Sequence, residues 1–222
     1  MASSVTIQPS TADVEILSNA PTANQNSIQI SACPYSAMIM KTLISFDFSA
    51  SVPAGATITL ATLSLYAFAV ASGRTITVNS LRRSDWVETE ATWNVYKTGS
   101  NWGVAGAKSD LTDYMTSYAA TSASLSAVGW QNWDVKDQIQ YARDNKAGII
   151  HLLIWDAGSS ELKYQQYYSR EYTNNTSLCP KLYIEYTVPS AIKTVNGLAV
   201  ASVKTLRSSV VIASGKTWNG VA

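Results

Sequence analysis

Residues 38–48 read MIMKTLISFDF. Met38, Met40, Thr42, Ile44, Phe46 and Phe48 fall on one side of a period of two, with Lys41, Ser45 and Asp47 between them. Side chains alternate across a strand, so the stretch predicts a β-strand with one buried face. VPAGA at 52–56 then reads as a turn. Alternation resumes over 57–69, where Leu63, Leu65, Ala67 and Ala69 oppose Thr62, Ser64, Tyr66 and Phe68. Gly73 breaks it, and Ile76 with Val78 begins another strand. Residues 148–155, GIIHLLIW, are almost wholly apolar and suit a central strand. Residues 181–188 alternate again, Leu182, Ile184, Tyr186 and Val188 against Lys181, Tyr183, Glu185 and Thr187. Shorter strands are expected at 14–17, 27–32 and 162–168. Helix signals are weak: Asp134 reads as the cap of a helix reaching Asn145, and 111–119 as a second, shorter helix. Many short strands separated by turn signals predict an all-β fold, a β-sandwich with one or two short helices.

Composition agrees. The 222 residues carry a net charge of +1, with 14% charged and 46% hydrophobic. Polarity comes mainly from Ser and Thr hydroxyls. A disordered chain would have fewer apolar residues, a nucleic-acid binder a strong positive excess, and a coiled coil far more Ala, Glu, Lys and Leu. No apolar run approaches the roughly 20 residues needed to span a bilayer, so neither nucleic acid nor membrane insertion is expected. The N-terminal stretch MASSVTIQPSTADVEI lacks the basic start and apolar run of a signal peptide, which predicts synthesis without the usual export route. Cys33 and Cys179 are too few for a disulfide scaffold and read by default as two thiols.

Past Pro189 the texture changes. Residues 191–222 read AIKTVNGLAVASVKTLRSSVVIASGKTWNGVA, an imperfect repeat of strand–turn units. Lys193, Lys204 and Lys216 each precede a Thr, and Asn196-Gly197 and Asn219-Gly220 are hairpin-turn dipeptides, the second following Trp218. The tail holds Lys193, Lys204, Arg207 and Lys216 and no acid, whereas every acidic residue lies at or before Glu185. Two parts are therefore expected: a slightly acidic sandwich over 1–189, and a basic β-repeat over 190–222 serving attachment or oligomerisation.

No catalytic constellation stands out. His151 is the sole histidine and sits inside an apolar strand, where a satisfied structural role is expected rather than a triad or a zinc site. Glu88 with Glu90, Asp110 with Asp113 and Asp134 with Asp137 are carboxylate pairs, but closeness in sequence does not place them across a substrate. No cofactor or metal is expected. Loop carboxylates could hold a structural calcium, yet no dense Asp/Asn loop names its ligands. Aromatics are the richer signal. Trp86, Trp93, Tyr96, Trp102, Trp130 and Trp133 lie between the two well-patterned strand groups, and Tyr164, Tyr167, Tyr168 and Tyr172 cluster later. Exposed rings of this kind stack on sugars or anchor interfaces. Tyr96, Trp102, Trp130 and Tyr164 are the ligand-binding candidates.

Several segments also fall in a recognisable order: KTLISFDFS (41–49), PAGATITLATLSLYAF (53–68), SDWVETEATWNVY (84–96), WQNWDVKDQIQYARDN (130–145), GIIHLLIW (148–155) and YSREYTNNTSLCPKLYIEY (168–186). In this the chain resembles the DNRLRE domain, a jelly-roll β-sandwich related to carbohydrate-binding modules, over about residues 5–188. Lys136 departs from the Thr usual after Trp-Asp-Val in that family. The resemblance implies a jelly roll whose motif residues Trp86, Trp93, Asp134, Ser169, Arg170 and Glu171 are structural. An Arg–Glu pair would tie a strand end to neighbouring loops, and the tryptophans would pack a loop corner. The tail resembles C-termini of bacteriophage structural proteins. Together these imply a non-enzymatic virion protein (a capsid decoration, head fibre or tail appendage) made in the host cytoplasm and docked through its tail on other virion proteins or on itself, as a homo-oligomer on the particle. A polysaccharide-binding module or adhesin is the alternative.

Overall fold

The computed structural model of the chain describes residues 2–32, 34–122, 124–156 and 164–189, and the backbone of 194–195 and 198–199. In chain order it contains β1 (Ala2–Ile7), β2 (Ala12–Leu17), β3 (Gln29–Ser31), β4 (Met40–Asp47), β5 (Thr57–Ala69) and β6 (Thr77–Ser80). There follow β7 (Val95–Lys97), β8 (Ser100–Asn101), β9 (Ala120–Thr121), β10 (Gly129–Asp134), α1 (Lys136–Asn145), β11 (Ile149–Trp155), β12 (Gln166–Tyr168) and β13 (Lys181–Thr187).

Two antiparallel sheets face each other. The first runs β1-β13-β5-β12-β3 with β10 also on β5; the second runs β2-β4-β11-β6-β9. Leu63 of β5 pairs with Leu182 on one edge and Trp133 on the other, so β13 and β10 flank the same strand. Successive strands cross from sheet to sheet, β1 to β2, β3 to β4, β5 to β6 and β10 to β11, which makes the sandwich a jelly roll. Between the sheets lie Ile44, Phe46, Leu63, Leu65, Trp133, Ile150, Leu152, Tyr167, Leu182 and Ile184, all buried. The alternating residues of β5 and β13 take the inward positions as expected, and β11 is central, between β4 and β6.

Three expectations are corrected. First, β4 is buried on both faces: Leu43 is as fully enclosed as Ile44. Its second face lies under the connection that follows β6, where Trp86, Trp93, Tyr96 and Trp102 pack with Val14, Ile16, Leu43 and Leu153. Second, α1 begins at Lys136 with Val135 in the capping position, and Asp134 is not the cap. The Asp134 carboxylate instead accepts from the Lys136 N–H at 3.0 Å, a two-residue turn leading into the helix. Third, 111–119 forms turns and no helix. Asp113 organises it: buried, its carboxylate accepts from the N–H groups of Gly103, Val104 and Ser109, and that local bonding competes with helix formation.

The chain divides into two units, Ala2–Val188 and a second made of Met1 with Pro189–Ala222. In the second, β14 (Thr194–Val195) pairs antiparallel with β15 (Leu198–Ala199). Lys193, Asn196, Gly197, Lys204, Lys216, Trp218, Asn219 and Gly220, singled out as the attachment segment, lie outside the described residues, as does Cys33. Cys179 is a buried free thiol. No described helix is long and apolar enough to cross a membrane.

Candidate functional site

The two sheets differ in what covers their outer faces, and this locates the site. The second sheet is roofed by the aromatic loop layer. Tyr96 and Trp102, read from the sequence as ligand candidates, belong to that roof and are only 9% and 4% exposed. Trp102 donates its indole N–H to the Thr92 carbonyl at 2.9 Å, and Tyr96 packs against it at 5.6 Å, so both rings are engaged in packing the roof. A loop-like sequence suggested exposure for them, but this loop is itself a packed layer. Trp86 and Trp93 lie in the same layer, as a structural loop corner should. Trp86 donates its indole N–H to Nδ1 of His151 at 3.0 Å. Burial pushes the His151 imidazole down to about 4, so the ring is neutral and its Nδ1 is satisfied by Trp86.

The outer face of the first sheet is different. The alternation that buries Leu63, Leu65 and Ala67 of β5 turns Tyr66 and Phe68 outward, where both are half-buried. Register sets Trp130 of β10 opposite Tyr66. On the other edge of β5, Tyr168 of β12 lies beside Phe68, with ring centroids 4.7 Å apart. Tyr172, just beyond the strand, stacks on Tyr168 at 3.7 Å. Tyr66 bridges the group, edge-on to Trp130 at 5.4 Å and parallel to Tyr168 at 6.1 Å. Five rings thus form one continuous strip across three strands.

Polar groups border the strip. Lys181 Nζ lies 3.9 Å from the centre of the Trp130 ring. Tyr183 donates to Glu185 at 2.7 Å, and Ser64 donates to the exposed Asn132 at 2.7 Å. The Tyr168 hydroxyl is held above the ordinary phenol range by its hydrogen bond with Tyr172. The surface therefore combines apolar ring area with hydroxyl, amide, ammonium and carboxylate groups, the mixture that meets a sugar's C–H faces and hydroxyls. The rings hold one another in place, so little side-chain freedom remains to be lost on binding.

Of the sequence candidates, Trp130 lies on the strip. Tyr164 is 37% exposed but pairs with Tyr35 at 4.0 Å, and no ring contact joins that pair to the strip. Tyr167 points inward, where its hydroxyl donates to Gln131 at 2.6 Å. Tyr66 and Phe68 lie on the strip and are not among the sequence candidates. The period-two pattern places them opposite the core positions and could have found them.

A second cluster surrounds the Ser169–Arg170–Glu171 motif. Ser169 donates to the Ser27 carbonyl at 2.5 Å. Arg170 Nη1 lies 2.9 Å from Glu88, whereas its Nε is 3.9 Å from Glu171. The Arg–Glu pair that ties this strand end to a neighbouring loop is thus mainly Arg170 with Glu88. The Arg170 backbone N–H donates to Asp13, and the Asp13 N–H donates to Glu88 at 2.8 Å. Among the other carboxylates, Glu90 accepts from the Thr98 N–H in a turn, so Glu88 and Glu90 do not form a working pair.

A family model for carbohydrate-binding module family 96 matches residues 9–186, nearly the whole sandwich. No curated protein matches the chain.

Proposed function

Because the chain belongs to carbohydrate-binding module family 96, we propose that it is a non-catalytic module that binds polysaccharide along the aromatic strip of its first sheet. The observation that carries this is the continuity of Tyr66, Phe68, Trp130, Tyr168 and Tyr172 on the outer face of the first sheet, where no aromatic roof like that of the other sheet is formed among the described residues. The order of its motifs favours a DNRLRE-type member. Affinity electrophoresis against a panel of neutral and acidic polysaccharides tests the proposal. At least one should retard the protein, and Tyr168→Ala should weaken that retardation roughly tenfold, the equivalent of ~1.4 kcal/mol. Unchanged retardation in a folded Tyr168→Ala protein would contradict the assignment.

A second reading places the module on a bacteriophage particle, where the basic tail docks on an acidic virion surface or on another copy of the chain. The Lys-Thr repeat and the acid-free composition of 190–222 favour it. Deleting 190–222 should then abolish particle attachment, and attachment that survives the deletion would exclude the docking role.

A further inference from the structure

Asp13, Glu88 and Glu171 come from β2, from the loop layer and from the turn after β12. Folding brings one carboxylate oxygen of each within 4.8 Å of the others. Among the described residues one cation reaches them: Arg170, close to Glu88 and more distant from Glu171. Fully ionised, three carboxylates against that one guanidinium carry two negative charges in excess. Donors satisfy only part of the group. Ser10 and the Arg170 N–H both donate to Asp13 Oδ2, at 2.5 and 3.1 Å. Asp13 is fully buried, and its Oδ1 has no partner; Glu171 Oε2 is buried and has none either. A buried carboxylate oxygen left without a donor or cation is costly. The two carboxyl groups that carry such oxygens, from segments far apart in sequence, belong to the same cluster.

We propose that Asp13, Glu88 and Glu171 bind one calcium ion, with the unpartnered oxygens of Asp13 and Glu171 as its inner protein ligands. The donor set is all oxygen, the preference of a hard cation. Calcium takes its ligands at about 2.3–2.6 Å, so oxygens on opposite sides of one ion stand up to about 5 Å apart, which accommodates oxygens that all lie within 4.8 Å of one another. Magnesium keeps several of its waters and is usually held by one or two carboxylates, so a set of three protein carboxylates suits it less well. A divalent charge cancels the excess that Arg170 leaves. Cys179 adds no soft ligand, because burial raises its thiol above the ordinary range and its Sγ donates to the Tyr172 carbonyl at 3.5 Å. The ion would fasten the edge strand β2 to the loop layer and to the turn that carries Tyr172, which makes it a structural staple of this unit.

Full-length protein freed of metal with chelator is titrated with CaCl2 by calorimetry and melted with and without 1 mM calcium. One ion should bind per chain, and Tm should rise by on the order of 5 °C. Magnesium at the same concentration should give less than half that rise. Glu171→Gln, a half-buried position whose loss the fold should tolerate, should weaken calcium binding at least tenfold, and Asp13→Asn should do the same. Absence of calcium binding by the unmutated protein overturns the proposal. So does a calcium response that Glu171→Gln retains in full, and an equal response to magnesium overturns the choice of ion.

Discussion

His151 illustrates how burial fixes one protonation state. Trp86 can donate to Nδ1 only while that nitrogen carries no proton, and burial holds the ring neutral. The folded imidazole takes up its proton near pH 4, against 6.5 for the ordinary group. Between those values the unfolded chain binds more proton, so this residue's contribution to stability is lost as pH falls from about 6.5 toward 4. Glu15 and Asp13, each raised to about 7 by burial, act in the opposite sense, so the total pH profile mixes several groups. The difference between the unmutated protein and His151→Asn isolates the histidine, since an asparagine oxygen can still accept from Trp86. That difference in Tm should move in favour of the asparagine variant on going from pH 7 to pH 4.5. A difference that is constant with pH would show that His151 does not titrate on unfolding. The structural role of His151 was legible from its place in an apolar strand. The identity of its partner was not, because Trp86 is far away in sequence and meets it only through the loop layer.

At the scale of elements, the loop layer behaves as a third sheet of packing. Gly106 adopts φ +82°, and a Cβ there would stand 2.5 Å from the Trp93 ring. That ring is enclosed and has nowhere to retreat. Gly106→Ala should therefore cost about 3 kcal/mol, from overpacking plus backbone strain. Gly99 has φ +73° with nothing within 4 Å of its virtual Cβ, so Gly99→Ala should cost only the backbone strain, about 1 kcal/mol. Urea unfolding of the two variants checks the contrast, and equal losses would contradict the packed layer. Strands β4, β5, β11 and β13 were readable because alternation or a continuous apolar run marks them directly. The roof was not readable, because 81–115 has no period. Its tryptophans looked like loop aromatics, and only the tertiary packing decides whether such a loop lies over a sheet or stands in solvent. For the same reason the sequence points to Tyr96 and Trp102 as candidates rather than to Tyr66 and Phe68: alternation shows which face a side chain takes but not what covers that face.

At the scale of the whole molecule, every strand of both sandwich sheets lies within Ala2–Val188. A chain ending at Pro189 should melt within about 2 °C of the full-length protein, since it retains the whole core. A much larger fall would mean that the tail contributes to the fold. The sandwich carries the central claim, that glycan meets this molecule on the outer face of its first sheet. Titration calorimetry with the polysaccharide that retards the protein most, on Trp130→Ala and on Tyr118→Ala, tests it most directly. Tyr118 is 51% exposed and makes no ring contact with the strip, its ring neighbour being Tyr141. Trp130→Ala should lose at least about tenfold in affinity, ~1.4 kcal/mol, with Tyr118→Ala unchanged. Full affinity in a folded Trp130→Ala protein, or an equal loss in Tyr118→Ala, would contradict the account.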